Sequence, residues 1–288
     1  MQEYPAGNVI ELISSSYYTL TTAEKKIADH ITSDPESVQQ AGISDLADAC
    51  GTAVATISRF SRKLGFQNFN ALKIAIARTM SSKSDPDMLS GKILMDDSFE
   101  VVSQKIQAAE IGVITQTADL IHPEAYMQAV EHLSSAGKVL CMGQGGSSIM
   151  AMEAAHLFST VSGKFTAIQD DHLQAIATSN LEKGDVILYF SYSGSVRGML
   201  EILPLASRRG AKVILITRFP KSPGAEMADV ILQCGSNESP LQLGSVQARI
   251  SQLFMLDILF TEYCRRDYEN ARSSRERIAA ALADKHLD

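Results

Sequence analysis

From Gly137 onward the chain alternates short apolar runs with helix-length segments, and no other feature of the sequence narrows the possible folds so far. The runs are "KVLCMG", "KFTAIQ", "DVILYFS", "AKVILIT" and "ADVILQC". Between them stand "SSIMAMEAAHLFSTV", "DHLQAIATSN" and "VRGMLEILPLASRRG", each long enough to cross back over a sheet. Strands this uniformly apolar, joined by crossover helices, make a parallel sheet covered on both faces. The expectation is an α/β domain with a five-stranded parallel sheet flanked by helices. Ligands of such sheets bind at the carboxyl ends of the strands.

Two segments fall at those ends, "GQGGSS" after the first run and "SYSGSV" after the third. Each leads into a helix, whose first amides lack intrahelical partners and whose dipole is positive there, so each suits an anion. Ser147, Ser191, Ser193 and Ser195 add hydroxyl donors for one phosphate, with Gly145 and Ser148 in the first of the two turns. Two alternatives compete. Gly143 and Gly145 begin a dinucleotide fingerprint, with Asp170 and Asp171 spaced for a ribose contact, but Ser148 stands where the third glycine belongs. A second serine turn has no part in that scheme, so neither a nicotinamide nor another cofactor is expected. The serines could also serve only as helix caps, which two such turns on one sheet edge make less natural.

The first eighty residues carry only helical signals. "TTAEKKIADHI" starts with Thr21 and Glu24 at capping-box spacing. A short helix from Ser44 to Gly51, the turn "GTA", and a second helix in "VATISRFSRKLG" follow the pattern of a helix-turn-helix. At helical periodicity Ile57, Phe60 and Leu64 share the core stripe, while Arg59 and Arg62 face outward. Thr52, Thr56, Ser58 and Lys63 flank the arginines, a face suited to the major groove of duplex DNA. The next segment, "FQNFNALKIAIARTM", reads as an amphipathic helix with Phe66 and Phe69 in the core.

The net charge of −7 argues against general nucleic-acid affinity. Charge is unevenly spread, however: from Ala49 to Ser84 there is no acidic residue, while Arg59, Arg62, Lys63, Lys73, Arg78 and Lys83 are cationic. Cys50, Cys141, Cys234 and Cys264 have no metal-ligand spacing and read as reduced structural thiols, so no metal is expected. The absence of a long apolar stretch or a secretory start predicts a cytoplasmic protein without a membrane partner. "SSKSDPDMLSGKILMDDS" mixes serine, charge, Pro86 and Gly91. It suggests a helix-turn-helix domain over 1–80, a linker over 81–98 and the α/β domain over 99–288.

The chain resembles the bacterial RpiR-type transcription regulators, which join an N-terminal helix-turn-helix to a C-terminal sugar isomerase (SIS) domain. On the DNA side the likeness rests on "ATISRFSRKLGFQNFNALK". On the sugar side it rests on "GQGGSS", "GDVILYFSYSGS" and "SVQARISQLFMLDILF". The resemblance implies a phosphosugar sensor that binds double-stranded operator DNA and controls sugar-metabolism genes. It implies a phosphate on Ser147, Ser191, Ser193 and Ser195, and it makes His172 and Glu238 candidates for facing the sugar.

Two positions depart from the family's pattern. Ala53 stands where a capping serine is common, with Thr52 as the possible substitute. Val196 replaces a serine or threonine of the second turn, with Arg197 beside it as a possible source of charge. "ISQLFMLDILF" is apolar on nearly every side, which suggests a subunit contact in a homodimer or homotetramer. The competing class is a phosphosugar isomerase using Glu238 or His172 as base. The attached basic helix-turn-helix favours regulation, since an isomerase has no use for it.

Overall fold

A computed structural model describes residues 8–81, 88–90, 93–236 and 246–283. The chain forms two compact units, one reaching to Ile111 and the other built from Gly112–Ser236 and the chain from Gln247 onward.

The first unit is a helical bundle. It contains α1 (Val9–Ser16), α2 (Thr22–Ser33), α3 (Pro35–Gln40), α4 (Ile43–Ala49), α5 (Val54–Lys63) and α6 (Phe69–Ser81). Local chemistry sets the boundaries. Thr21 Oγ1 accepts from the Glu24 amide while the Glu24 carboxylate accepts from the Thr21 amide, which starts α2. Asp34 accepts from the Ser37 amide ahead of Pro35 and starts α3. Gly51 adopts φ +59° and lets the Thr52 amide turn back onto the Ala47 carbonyl, separating α4 from α5. Ile57 and Phe60 are fully buried with Ile27, Ile31, Leu46 and Leu72, and Phe66 and Phe69 join the same core. Burying each such side chain contributes about 1.5–3 kcal/mol.

Beyond α6 the sequence suggested only a linker, but β1 (Met88–Ser90) and β2 (Ile93–Leu94) form a short antiparallel pair there. The helix α7 (Phe99–Asp119) follows, and the division between the two units falls within it.

The second unit contains α8 (Pro123–Ser135), β3 (Val139–Gly143), α9 (Gly146–Ser159), β4 (Phe165–Ile168), α10 (Asp171–Ser179), β5 (Val186–Phe190), α11 (Arg197–Arg209), β6 (Lys212–Thr217) and β7 (Val230–Gln233). It closes with α12 (Val246–Arg266) and α13 (Tyr268–Ala283). All five expected strands are present, in the order β4-β3-β5-β6-β7 and parallel throughout. Alternate strand residues feed two cores. Cys141, Leu188, Phe190, Ile216 and Cys234 pack under α8, α9 and α12. On the opposite face Met142, Ile187, Tyr189 and Leu215 pack under α11. β3 and β5 are neighbours whose following helices, α9 and α11, cover opposite faces, so the crevice between them is the topological switch point.

The apolar surplus of α12 has a different destination from the expected subunit contact. Met255, Leu256, Leu259 and Phe260 are buried in the unit's own core, and Phe260 and Tyr263 meet Phe158 edge-on at 5.3 and 5.2 Å. The helix lies against both sheet and neighbouring helices, so a single apolar stripe does not suffice. Leu253 alone among its larger apolar side chains beyond the first turn stays well exposed.

Candidate functional site

The ladder between β3 and β5 ends on the pair Gly143 and Phe190, so the two serine turns leave the sheet side by side, about 5 Å apart at their roots. The approach is close enough to require glycine. A methyl group on Gly143 would sit 2.6 Å from the Ser147 carbonyl oxygen and 3.1 Å from that of Phe190. A methyl on Gly194 would fall 1.9 Å from Ser222 Oγ, and the backbone there holds φ +59°.

In the first turn Gly145 adopts φ +56° and caps α9 with no side-chain bond, and the Ser147 and Ser148 amides donate to the Gln144 and Gly145 carbonyls at 3.1 Å. Ser147 and Ser148 lie in its first turn, both half-buried, and the Ser148 hydroxyl donates to the Gly145 carbonyl at 2.7 Å. In the second turn Ser191 is buried and its Oγ accepts from the Gly194 amide at 3.2 Å, which shapes the loop. Ser193 and Ser195 are exposed, and Ser193 Oγ accepts from the Ser195 amide at 3.3 Å. The turn runs into α11 through Val196, which makes no side-chain cap. The site therefore presents the N-terminal ends of two helices, with hydroxyls ranged between them. Arg197 does not add charge to it: its Nε pairs with Glu201 at 2.8 Å along the surface of α11.

A third segment closes the crevice. Gln144 Nε2 donates to Asp171 Oδ1 at 2.7 Å, and a methyl on Gly198 would meet Gln144 Nε2 at 2.2 Å. The starts of α9, α10 and α11 thus meet at Gln144. Beneath them the fully buried Gln174 donates to the carbonyls of Gly143 and Ile168. Gln144 and Gln174 were not singled out from sequence: Gln144 sits within the glycine turn, nothing local marks Gln174, and Asp171 was weighed only as a ribose contact. Asp170, weighed above as a ribose contact, caps α10 by accepting from the Leu173 amide at 2.8 Å. His172 is exposed on the first turn of α10, beside Asp171. Glu238 lies outside the described residues.

In the helical unit, α4, the Gly51 turn and α5 have the expected arrangement. Arg59, Arg62 and Lys63 are exposed; Thr56 and Ser58 are half-buried beside them. Arg59 Nη2 donates to Thr56 Oγ1 at 3.4 Å. Two members of the basic set are engaged elsewhere. Lys63 Nζ pairs with Glu24 at 2.7 Å and donates to the Thr19 carbonyl at 2.9 Å. Lys73 is half-buried, donates to the Ala41 carbonyl at 2.8 Å, and desolvation pulls its amine down to about 8 despite the opposing charge of Asp45. Thr52 does not replace the missing cap, since Ala53 is the N-cap of α5 without a side-chain bond and Thr52 Oγ1 is buried without a partner.

All four cysteines are buried and carry no disulfide. Among the described residues no helix is long and apolar enough to cross a membrane.

Residues 7–83 match the helix-turn-helix domain of the rpiR family, and residues 132–262 match the SIS domain. An uncharacterised HTH-type transcriptional regulator of Caldanaerobacter subterraneus subsp. tengcongensis is 34% identical over 97% of this chain and 98% of its own. A second from Haemophilus influenzae is 28% identical over 98% and 99%. Among solved structures, Vibrio vulnificus NanR complexed with ManNAc-6P superposes with a TM-score of 0.86 at 23% identity, covering 98% of this chain and 100% of that one. The sugar isomerase domain of an RpiR transcription factor from Sphaerobacter thermophilus gives a TM-score of 0.57 at 22% identity over 62% of this chain and 98% of that one. With both domains matched in order and a relative aligned along almost its whole length, the chain belongs to the RpiR family of HTH-type transcriptional regulators.

Proposed function

We propose that this regulator senses a phosphosugar in the crevice between β3 and β5 and that the bound sugar alters its hold on operator DNA. The observation that carries the reading is the Gly143 and Phe190 pair, which roots both serine turns at one switch point. The positive N-terminal ends of α9 and α11 and the hydroxyls of Ser147, Ser191, Ser193 and Ser195 are the groups that would receive the phosphate. The RpiR-family relatives and the ManNAc-6P complex of the NanR neighbour point the same way.

Arg59 and Arg62, with Thr56 and Ser58, form the proposed DNA face, the arginines reading base edges or neutralising phosphates. Lys63, tied to Glu24, serves to brace α5. Thr52 contributes packing, since its hydroxyl is buried. His172 borders the sugar side of the crevice. The helix-turn-helix occupies 1–80, the sensor 99–288, and the protein acts in the cytoplasm on double-stranded DNA without catalysing a reaction.

A symmetric dimer is the state we propose for operator binding, because such motifs read paired half-sites. Its support is an exposed apolar group on α9 and α10, namely Ile149, Met152, Leu173 and Ile176, beside the edge strand β4.

Selection of duplexes from random DNA by the purified protein, followed by titration of hexose 6-phosphates into the complex, tests the reading. It predicts one enriched palindromic sequence, an affinity shifted by at least one sugar phosphate, and no turnover of that sugar. Isomerisation at ordinary enzymatic rates without sequence enrichment contradicts it.

A further inference from the structure

Four polar atoms in the second unit are buried and make no hydrogen bond: the Tyr126 hydroxyl, Ser236 Oγ, and both Oε1 and Nε2 of Gln252. Gln252 is 1% exposed, Ser236 0% and Tyr126 4%. An amide buried with neither end paired costs about 1–3 kcal/mol, far more than a core apolar side chain of similar size. That cost is borne twice over in one residue.

All three residues fall toward the carboxyl edge of the sheet, on the face covered by α8 and α12. Ser134 near the end of α8 and Cys264 near the end of α12 line one cavity of about 280 Å³ with Val161, which precedes β4, so those helix ends mark the amino edge. Gln252 lies twelve residues before Cys264, about 18 Å of helix. A five-residue strand such as β5 spans about 16 Å. Gln252 is therefore level with the strands' carboxyl ends. It falls on the buried stripe of α12 between Ala248 and Met255. Tyr126 opens α8, and Cys234, just past β7, bears on its hydroxyl, which burial first and Cys234 second push above the usual phenol range.

Ser236 follows Cys234 by two residues. Its carbonyl accepts from the Tyr192 hydroxyl at 2.7 Å and from Arg218 Nε at 3.0 Å. Tyr192 belongs to the second serine turn, so the Ser236 backbone is fastened directly to the phosphate loop.

We infer that Gln252, with Ser236 and Tyr126 at the same edge of the sheet, forms the specificity subsite for the sugar body, its amide hydrogen-bonding a hydroxyl or acylamino substituent of a phosphosugar whose phosphate the serine turns hold. The inference rests on the phosphosugar reading above. An amide is matched to such a substituent because it donates and accepts at once. Inorganic phosphate, which lacks the sugar body, makes no use of it.

The test compares wild type, Gln252→Leu and Gln252→Met by calorimetric titration with inorganic phosphate and with 6-phosphates of glucose, glucosamine, N-acetylglucosamine and N-acetylmannosamine, and records the melting temperature of each unliganded protein. Both variants should bind inorganic phosphate as wild type does and lose roughly tenfold or more for the preferred phosphosugar. Both should also melt a few degrees higher without ligand, because an unpaired buried amide has been removed. Unchanged phosphosugar affinity and selectivity in the variants overturns the inference and leaves the phosphosugar reading standing. A lower melting temperature or failure to fold in both variants overturns it too, by showing that the amide supports the fold. Wild-type protein that binds none of these sugars removes the reading and the inference together.

Discussion

Lys63 Nζ stands 2.7 Å from the carboxylate of Glu24, the same carboxylate that accepts from the Thr21 amide and closes the capping box of α2. One acidic side chain thus starts one helix and anchors the last turn of another. Burial pushes the Glu24 carboxyl up, but the hydrogen bonds from Lys63 and Thr21 outweigh it and hold it below the ordinary range.

Lys63→Met should destabilise the helical unit by about 0.5–1 kcal/mol at neutral pH, the scale of a partly exposed pair. Since the folded carboxyl is the stronger acid, the pair's contribution is present above the unfolded value near 4.3 and disappears as pH falls through the folded one. Denaturant melts of both proteins at pH 7 and below pH 4 check this. The difference between them should shrink on acidification.

Gly143→Ala should destabilise the second unit by about 1–3 kcal/mol, because its methyl meets the Ser147 and Phe190 backbone, which has no rotamer with which to retreat. Gly146→Ala, next door and with open space around it, should change stability by less than about 0.5 kcal/mol. Chemical denaturation of the two variants supplies the comparison.

Lys73 is expected to make stability rise with pH. Its amine is pulled down to about 8 in the folded chain, chiefly by desolvation, whereas the unfolded chain keeps its proton until about 10.4. Between those values the unfolded state binds more protons, so raising the pH favours folding by at most about 3 kcal/mol. Measured against Lys73→Met, which lacks this titration, wild type should gain stability from pH 8 to 10. A flat difference contradicts the assignment.

The fold was largely legible because its signals are local. Five apolar runs became five strands, and the Thr21 box, the Gly51 turn and the Ile57, Phe60 and Leu64 stripe fell where periodicity and turn chemistry put them. What escaped is long-range. Lys63 and Glu24 are 39 residues apart, and Gln144 and Asp171 are 27 apart, so nothing in either local segment announces the partner. The basic window therefore overstated the free positive charge. The apolar excess of α12 was read as a subunit surface, since sequence cannot tell a helix packed on several sides within its own unit from one packed against a second chain. The second glycine of "GQGGSS" was legible as a turn residue, whereas the orphaned amide of Gln252 becomes visible only once its surroundings are known.

Arg59→Ala should weaken duplex binding by roughly tenfold and flatten its salt dependence, leaving phosphosugar affinity unchanged. Its counterpart Ser193→Ala should spare DNA binding in the absence of sugar. Fluorescence anisotropy with a selected duplex over a range of salt concentrations separates the two effects.

The central claim is that the turns after β3 and β5 grip one phosphate between them. Calorimetric titration of the preferred hexose 6-phosphate, and of the same sugar without phosphate, into wild type, Ser147→Ala and Ser193→Ala tests it most directly. The account predicts no measurable binding of the unphosphorylated sugar and a loss of roughly tenfold or more in each variant, the scale of one charge-assisted hydrogen bond. Equal affinity for both sugars, or full affinity in both variants, contradicts it.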